Sequence, residues 1–192
     1  MRELSLNVLD IAQNSLSAGA TLVEIGVEED TAKDRLVITI RDNGRGMTAA
    51  QLNKVRDPFY TTRTTRRVGM GIPLFRMAAE MAGGGLEIVS APGEGTAVTA
   101  GFVRSHIDRM PVGDMQGTVT ALIRMNPQVD FLYRRRFNER EMAVDTRELR
   151  QVLGEEVPLS DPDVMEWITG YIQEQEATLT QSSGPLDAGP QL

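Results

Sequence analysis

Apolar residues fall at Leu4, Val8 and Ile11, and again at Leu6, Leu9 and Leu16, with polar residues between them. That spacing predicts an amphipathic helix over Leu4–Ser17. Gly19 ends it as a residue able to adopt left-handed backbone. The pattern then changes to period two. "TLVEIGVEE" alternates from Leu22 to Val27, and "RLVITIRD" answers it across "EDTAKD", which predicts a pair of strands. "TAAQLNKV" reads as a short helix with Thr48 as its N-cap. "TTRTTRRVGMG" follows neither period and predicts a loop. "IPLFRMAAEMAG" returns to helical spacing, with Pro73 in its first turn and Gly83 at its end. "GLEIVSA" and "TAVTAGFVR", joined by "PGEG", predict a second strand pair.

Residues 1–105 therefore read helix, strand, strand, helix, loop, helix, strand, strand. This is the pattern of an α/β two-layer sandwich, a mostly antiparallel mixed sheet covered by helices on one face. Residues 106–175 predict a small α/β appendage that completes or caps the sheet. In it "MQGTVTALIRM" is helical, "VDFLYRRRF" and "REMAVDT" form a hairpin across Asn138-Glu139, and "RELRQVLG" and "DPDVMEWITGYIQ" are helical. Residues 176–192, ending in "TQSSGPLDAGPQL", lack periodicity and are expected to be disordered.

Composition narrows the chemistry. With 41% hydrophobic and 24% charged residues the chain is of ordinary globular type. It has no cysteine, which excludes disulfides and thiolate chemistry. Its one histidine, His106, leaves little for a His-rich metal site or a Ser-His-Asp triad. No apolar run of roughly 18 residues and no leader pattern is present, so a soluble cytoplasmic protein without a membrane span is expected. Residues 1–105 carry 12 acids and 12 bases, whereas residues 106–192 carry 15 acids and 8 bases. That balance argues against nucleic-acid binding. Lys54, Arg56, Arg63, Arg66 and Arg67 crowd one short stretch against Asp57 alone, reading either as a solvated loop or as one that faces phosphate.

There is no G-x-x-x-x-G-K-[ST] and no G-x-G-x-x-G after a strand, which excludes a P-loop and a dinucleotide fingerprint. Glycine pairs nevertheless recur at Gly44 and Gly46, Gly69 and Gly71, and Gly93 and Gly95. Each pair alone reads as turn-making. Asp10 and Asn14 lie four apart and share a face of the first helix.

Taken together, "DIAQNSLSAGA", "DNGRGM", "DPFYTTR" and "RVGMGIPLF", closed by "GEGT", resemble the GHKL ATPases: gyrase, the heat-shock chaperone, histidine kinases and the mismatch-repair protein MutL. The resemblance covers residues 4–104 in the family's motif order and implies a Bergerat-type ATP-binding fold. It implies that Asn14 ligates Mg²⁺, and that Asp10 occupies the place of the glutamate that activates water in hydrolytic members. Asp42 is implied to accept from the adenine amino group, with Gly44 and Gly46 letting backbone lie close to the base and Met47 packed on its face. Gly69 and Gly71 would present backbone N–H groups to the phosphates before a helix N-terminus. Thr96 would reach the base through Asp42 and a water, and Arg63 would contact the γ-phosphate from a short lid. Phe59 is expected to be packing.

With the N-box helix at its start, the chain is expected to be a stand-alone ATP module. Three functions follow from the resemblance. One is a Mg-dependent ATP-binding regulatory protein, acting as a protein kinase in trans or as a switch on a protein partner. Another is an ATPase with Asp10 as general base. The third is a non-catalytic nucleotide sensor that docks a partner. The arginines of "YRRRFNER" read either as a site for an acidic partner or as a solvated strand face.

Overall fold

The computed structural model describes residues 3–56, 71–154 and 157–180. In chain order its elements are α1 (Leu4–Ser17), β1 (Leu22–Asp30), β2 (Arg35–Asp42), α2 (Ala49–Arg56), α3 (Gly71–Met81), β3 (Gly85–Ala91) and β4 (Gly95–Val103). There follow α4 (Met115–Met125), β5 (Asp130–Phe137), β6 (Arg140–Asp145), α5 (Thr146–Leu153) and α6 (Pro162–Thr180). The strands form one six-stranded sheet in the order β3-β4-β2-β1-β5-β6. All neighbours are antiparallel except β1 and β5, which run parallel with Val23 opposite Phe131 and Ile25 opposite Tyr133. Parallel strands need a crossover, and α4 supplies it between β4 and β5.

The alternation read in the sequence decides which face is covered. Val23, Ile25 and Val27 of β1 and Leu36, Ile38 and Ile40 of β2 are buried in one cluster with Leu4, Val8, Ile11 and Ala12 of α1, Phe75 of α3, Val119 and Leu122 of α4 and Ile168 of α6. Their strand neighbours Glu24, Glu28, Thr39 and Arg41 point to the other face and retain solvent exposure. The sheet therefore carries its helical layer on the face where the apolar positions lie, as a period-two pattern requires.

The C-terminal residues expected as an appendage add two strands to this same sheet. They also close the start of α1. The backbone N–H groups of Leu4 and Ser5, which have no partner inside their own helix, donate to the carbonyls of Pro111 and Val112 at 2.9 and 2.8 Å. Glu29, nearly buried at the end of β1, accepts from Arg104 and Arg135 and fastens β5 to the segment after β4. Thr48 caps α2 as read, and the cap is reciprocal: Gln51 N–H donates to Thr48 Oγ1 at 3.3 Å while Thr48 N–H donates to Gln51 Oε1 at 2.9 Å.

One boundary differs from the sequence reading. Residues 176–180, expected to begin a disordered tail, are the last turn of α6. Leu179 is 5% exposed and packs with the core, seven residues after the buried Ile172. Between them Glu176 accepts a hydrogen bond from the Tyr133 hydroxyl at 2.5 Å. A polar residue at the intervening inward position hides the helical period from a hydrophobic pattern. The remainder of the expected tail, 181–192, lies outside the described residues.

Candidate functional site

Three elements meet at the C-terminal end of β2. Helix α1 presents Asp10 and Asn14 one turn apart, both half-buried, and Ser15, which is 3% exposed. Asp42, the last residue of β2, lies opposite Thr96 of β4 in the strand register and is 7% exposed. Its carboxylate is fixed from three sides. Oδ1 accepts from Gly44 N–H at 2.9 Å and from Thr96 N–H at 3.2 Å, and Oδ2 accepts from Ser15 Oγ at 2.6 Å. A carboxylate offers about four acceptor sites, of which three are engaged among the described residues.

The DNGRGM turn is shaped by its own chain. Asn43 Oδ1 accepts from the N–H groups of Thr21 and Leu22, each at 2.9 Å, which ties the turn to the start of β1. Gly46 has φ +65°, and a Cβ there would lie 1.9 Å from the carbonyl oxygen of Ala91. Gly95 has φ +91°, and its Cβ would lie 2.0 Å from the carbonyl oxygen of Asp42. Glycine is thus required at both positions by neighbouring backbone, before any ligand is considered. Met47, half-buried against the core, donates its N–H to Ser90 Oγ at 2.9 Å. The Ser90 hydroxyl also contacts the Gly95 carbonyl and Thr96 Oγ1, each at 2.9 Å.

Gly71 is the first residue of α3. A Cβ placed on it would be 3.0 Å from the Asp10 Cβ and 3.7 Å from Asp10 Oδ2. Asp10 therefore sits beside the start of that helix, where anions are favoured by unpaired N–H groups and the helix dipole. Among the described residues the Asn14 carboxamide makes no hydrogen bond and is free to act as an oxygen ligand. No cluster of three or more acidic, His or Cys side chains suited to a metal occurs among them either. The Asn14 carboxamide oxygen is the kind of hard oxygen donor that Mg²⁺ accepts, an ion that takes few protein ligands and completes its shell with phosphate oxygens and waters. Arg63, Gly69, Phe59 and the lid lie outside the described residues.

Of the residues named from the sequence, Asp42, Gly44, Gly46, Met47 and Thr96 come together around the β2 end, Asp10 and Asn14 lie on the helix that bonds Asp42 through Ser15, and Gly71 lies against Asp10. Two further residues belong with them. Ser15 carried a signal in the sequence: it falls on the inward stripe of Val8 and Ile11, where a buried hydroxyl needs a partner. Ser90 carried none, because its role depends on how the β3–β4 pair folds onto the DNGRGM turn.

The mixed sheet, its single helical layer and the Asp/Asn helix beside the β2 end define the class: a GHKL-type ATP-binding domain with a Bergerat-type fold. The chain belongs to the histidine kinase-, DNA gyrase B- and HSP90-like ATPase family, whose model matches residues 1–106, more than half of its length. Sensor histidine kinase ZraS of Salmonella typhimurium is 29% identical over 93 residues, covering 48% of this chain and 20% of that protein. The non-motile and phage-resistance protein of Caulobacter vibrioides is 30% identical over 115 residues, covering 57% of this chain and 14% of that protein. The chain thus spans about a fifth or less of these two relatives. Among solved structures, the N-terminal domain of a DNA repair protein matches with a TM-score of 0.53 at 13% identity, over 81% of this chain and 58% of that one. That likeness is one of fold. Among the described residues no helix is long and apolar enough to cross a membrane.

Proposed function

We propose that the chain binds ATP with Mg²⁺ at the β2 end and acts as a regulatory module, a protein kinase in trans or an ATP-dependent switch on a protein partner. The observation that carries this reading is the Asp42 carboxylate, oriented by Ser15, Gly44 and Thr96 with one acceptor site left over among the described residues. An acceptor in that position selects adenine, which offers an amino donor, over guanine, which offers a carbonyl. Asn14 supplies the protein oxygen for Mg²⁺, and the ion's chemistry is to neutralise the phosphate oxygens. Gly71 and the start of α3 receive the phosphates. The likeness to sensor histidine kinases supports a kinase-type role.

The test is calorimetric titration with MgATP and MgGTP, followed by transfer of label from [γ-³²P]ATP to co-purified proteins. MgATP binding without MgGTP binding, and label on a partner, are the expected results. Absence of MgATP binding refutes the reading. A second reading, hydrolysis with Asp10 as general base, is favoured by the position of Asp10 against Gly71. It predicts phosphate release that Asp10→Asn stops while binding persists.

A further inference from the structure

Helices α5 and α6 enclose an apolar groove of about 380 Å³ lined by Leu149, Val152, Leu153, Asp163, Val164 and Trp167. The spacing of these residues explains it. Leu149, Val152 and Leu153 share one face of α5. On α6, Val164, Trp167 and Tyr171 form a stripe beside the inward stripe of Met165, Ile168 and Ile172. The inward stripe is fully buried, whereas Val152 is 86% exposed and Trp167 55%. The Trp167 ring stacks on Tyr171 with centroids 5.3 Å apart, which holds the indole in place at the groove wall.

The rim has one sign of charge available. At the groove end helix α6 carries Asp163 and Glu166 and, along its whole length, no base, and Asp161 precedes it. Asp161, Asp163 and Glu166 form no ion pair among the described residues. The bases of α5 are already engaged: Arg147 pairs with Asp145 at 2.6 Å and Arg150 with Asp130 at 2.9 Å. A second copy docking through the same face would bring two acidic rims together. An anionic lipid surface or a nucleic acid would be repelled as well. A hydrophobic strip bordered by carboxylates that have no ion-pair partner among the described residues fits the apolar face of an amphipathic helix whose polar face is basic.

We propose that the α5–α6 groove is a docking site for a basic amphipathic helix of a partner protein, with Trp167 and Val152 as its apolar anchors. The groove shares no lining residue with the Asp42 region.

Trp167 is the chain's only tryptophan, so its emission reports directly on the groove. The probe is a synthetic amphipathic peptide with leucines at helical spacing and lysines elsewhere, compared with the same peptide carrying glutamates for lysines. The full chain is expected to show a saturable blue shift with the lysine peptide and roughly tenfold or weaker affinity for the glutamate peptide. Added salt weakens the lysine complex. Val152→Glu, at an exposed position that folding does not need, and the pair Asp163→Lys with Glu166→Lys each reduce lysine-peptide affinity by roughly tenfold. The proposal is overturned by unchanged emission at about 1 mM peptide, or by equal affinity for the two peptides. Sedimentation showing a concentration-dependent dimer that Val152→Glu abolishes overturns it too, by assigning the groove to a second copy.

Discussion

Two substitutions at Asp42 separate its part in the fold from its part in binding. Asp42→Ala removes the acceptor of Gly44 N–H, Thr96 N–H and the Ser15 hydroxyl together. Ser15 keeps a long bond to the Ile11 carbonyl at 3.4 Å, but the two backbone donors lose their partner. At about 1–3 kcal/mol for each buried donor left unpaired, the loss is about 2–6 kcal/mol, a large share of the stability of a domain this size. Asp42→Asn behaves differently. Its oxygen can keep both backbone donors, its amide group can donate to Ser15 Oγ, and folding changes by about 1 kcal/mol or less. What Asn loses is the anionic acceptor offered to adenine. A hydrogen bond to a charged group contributes about 1.5–3 kcal/mol, so MgATP affinity falls by roughly 10- to 150-fold. Urea unfolding of the three proteins measures the first effect and isothermal titration of wild type and Asp42→Asn the second. Wild-type MgATP affinity in Asp42→Asn refutes the adenine assignment. An alanine variant as stable as the asparagine variant refutes the hydrogen-bond argument.

Three further outcomes are expected. Gly46→Ala places a Cβ 1.9 Å from a carbonyl oxygen at φ +65°, so it destabilises by about 3 kcal/mol or more by chemical unfolding. Asn7 is fully buried with both carboxamide atoms unpaired among the described residues; Asn7→Leu therefore stabilises by about 1–3 kcal/mol and raises the thermal midpoint by roughly 2–4 °C per kcal/mol, and a lowered midpoint refutes this. The hydrogen bonds from Arg147 hold the Asp145 carboxyl below its ordinary value of 3.8, so this pair stabilises the fold above that pH and ceases to as pH falls through the lower folded value; the stability difference between wild type and Asp145→Asn, which keeps the α5 cap, is expected to vanish at acid pH.

The fold was legible wherever one period ran unbroken. Helices α1 and α4 match their sequence boundaries residue for residue, and the β5–β6 turn falls at Asn138, whose φ is +54°. Legibility failed where a polar side chain does an inward job. Glu176, paired with Tyr133, interrupts the apolar stripe of α6 and conceals its last turn. The placement of residues 106–175 was legible only in outline, because a parallel β1–β5 pair depends on packing across the sheet that local patterns do not encode. The candidate site divides the same way. Motif order locates Asp10, Asn14, Asp42 and Thr96, yet the reason for Gly46 and Gly95 is close backbone approach within the protein. Ser90 acquires its role only when the β3–β4 pair closes on the turn.

The two halves of the sequence meet in α1. Its first N–H groups are held by the carbonyls of Pro111 and Val112, and its buried face packs with Met115, Val119, Leu122 and Ile123 of α4 in one core. Its last turn holds Asp42 through Ser15, and Asp10 and Asn14 lie between these two attachments. One of the groups that orient the candidate adenine acceptor, Ser15, thus sits on the same helix that the residues after β4 hold at its start. Helix α6 packs on α4, and its inward residues belong to that same core, while its outward stripe forms the acidic groove. A helix seated in that groove would bear on α6, then α4, then α1, a path made of packed elements. Such a path transmits a signal only if some element along it has two arrangements. MgATP affinity measured with and without the lysine peptide decides this: a coupled system shows the same factor in both directions, and an uncoupled one leaves both affinities unchanged.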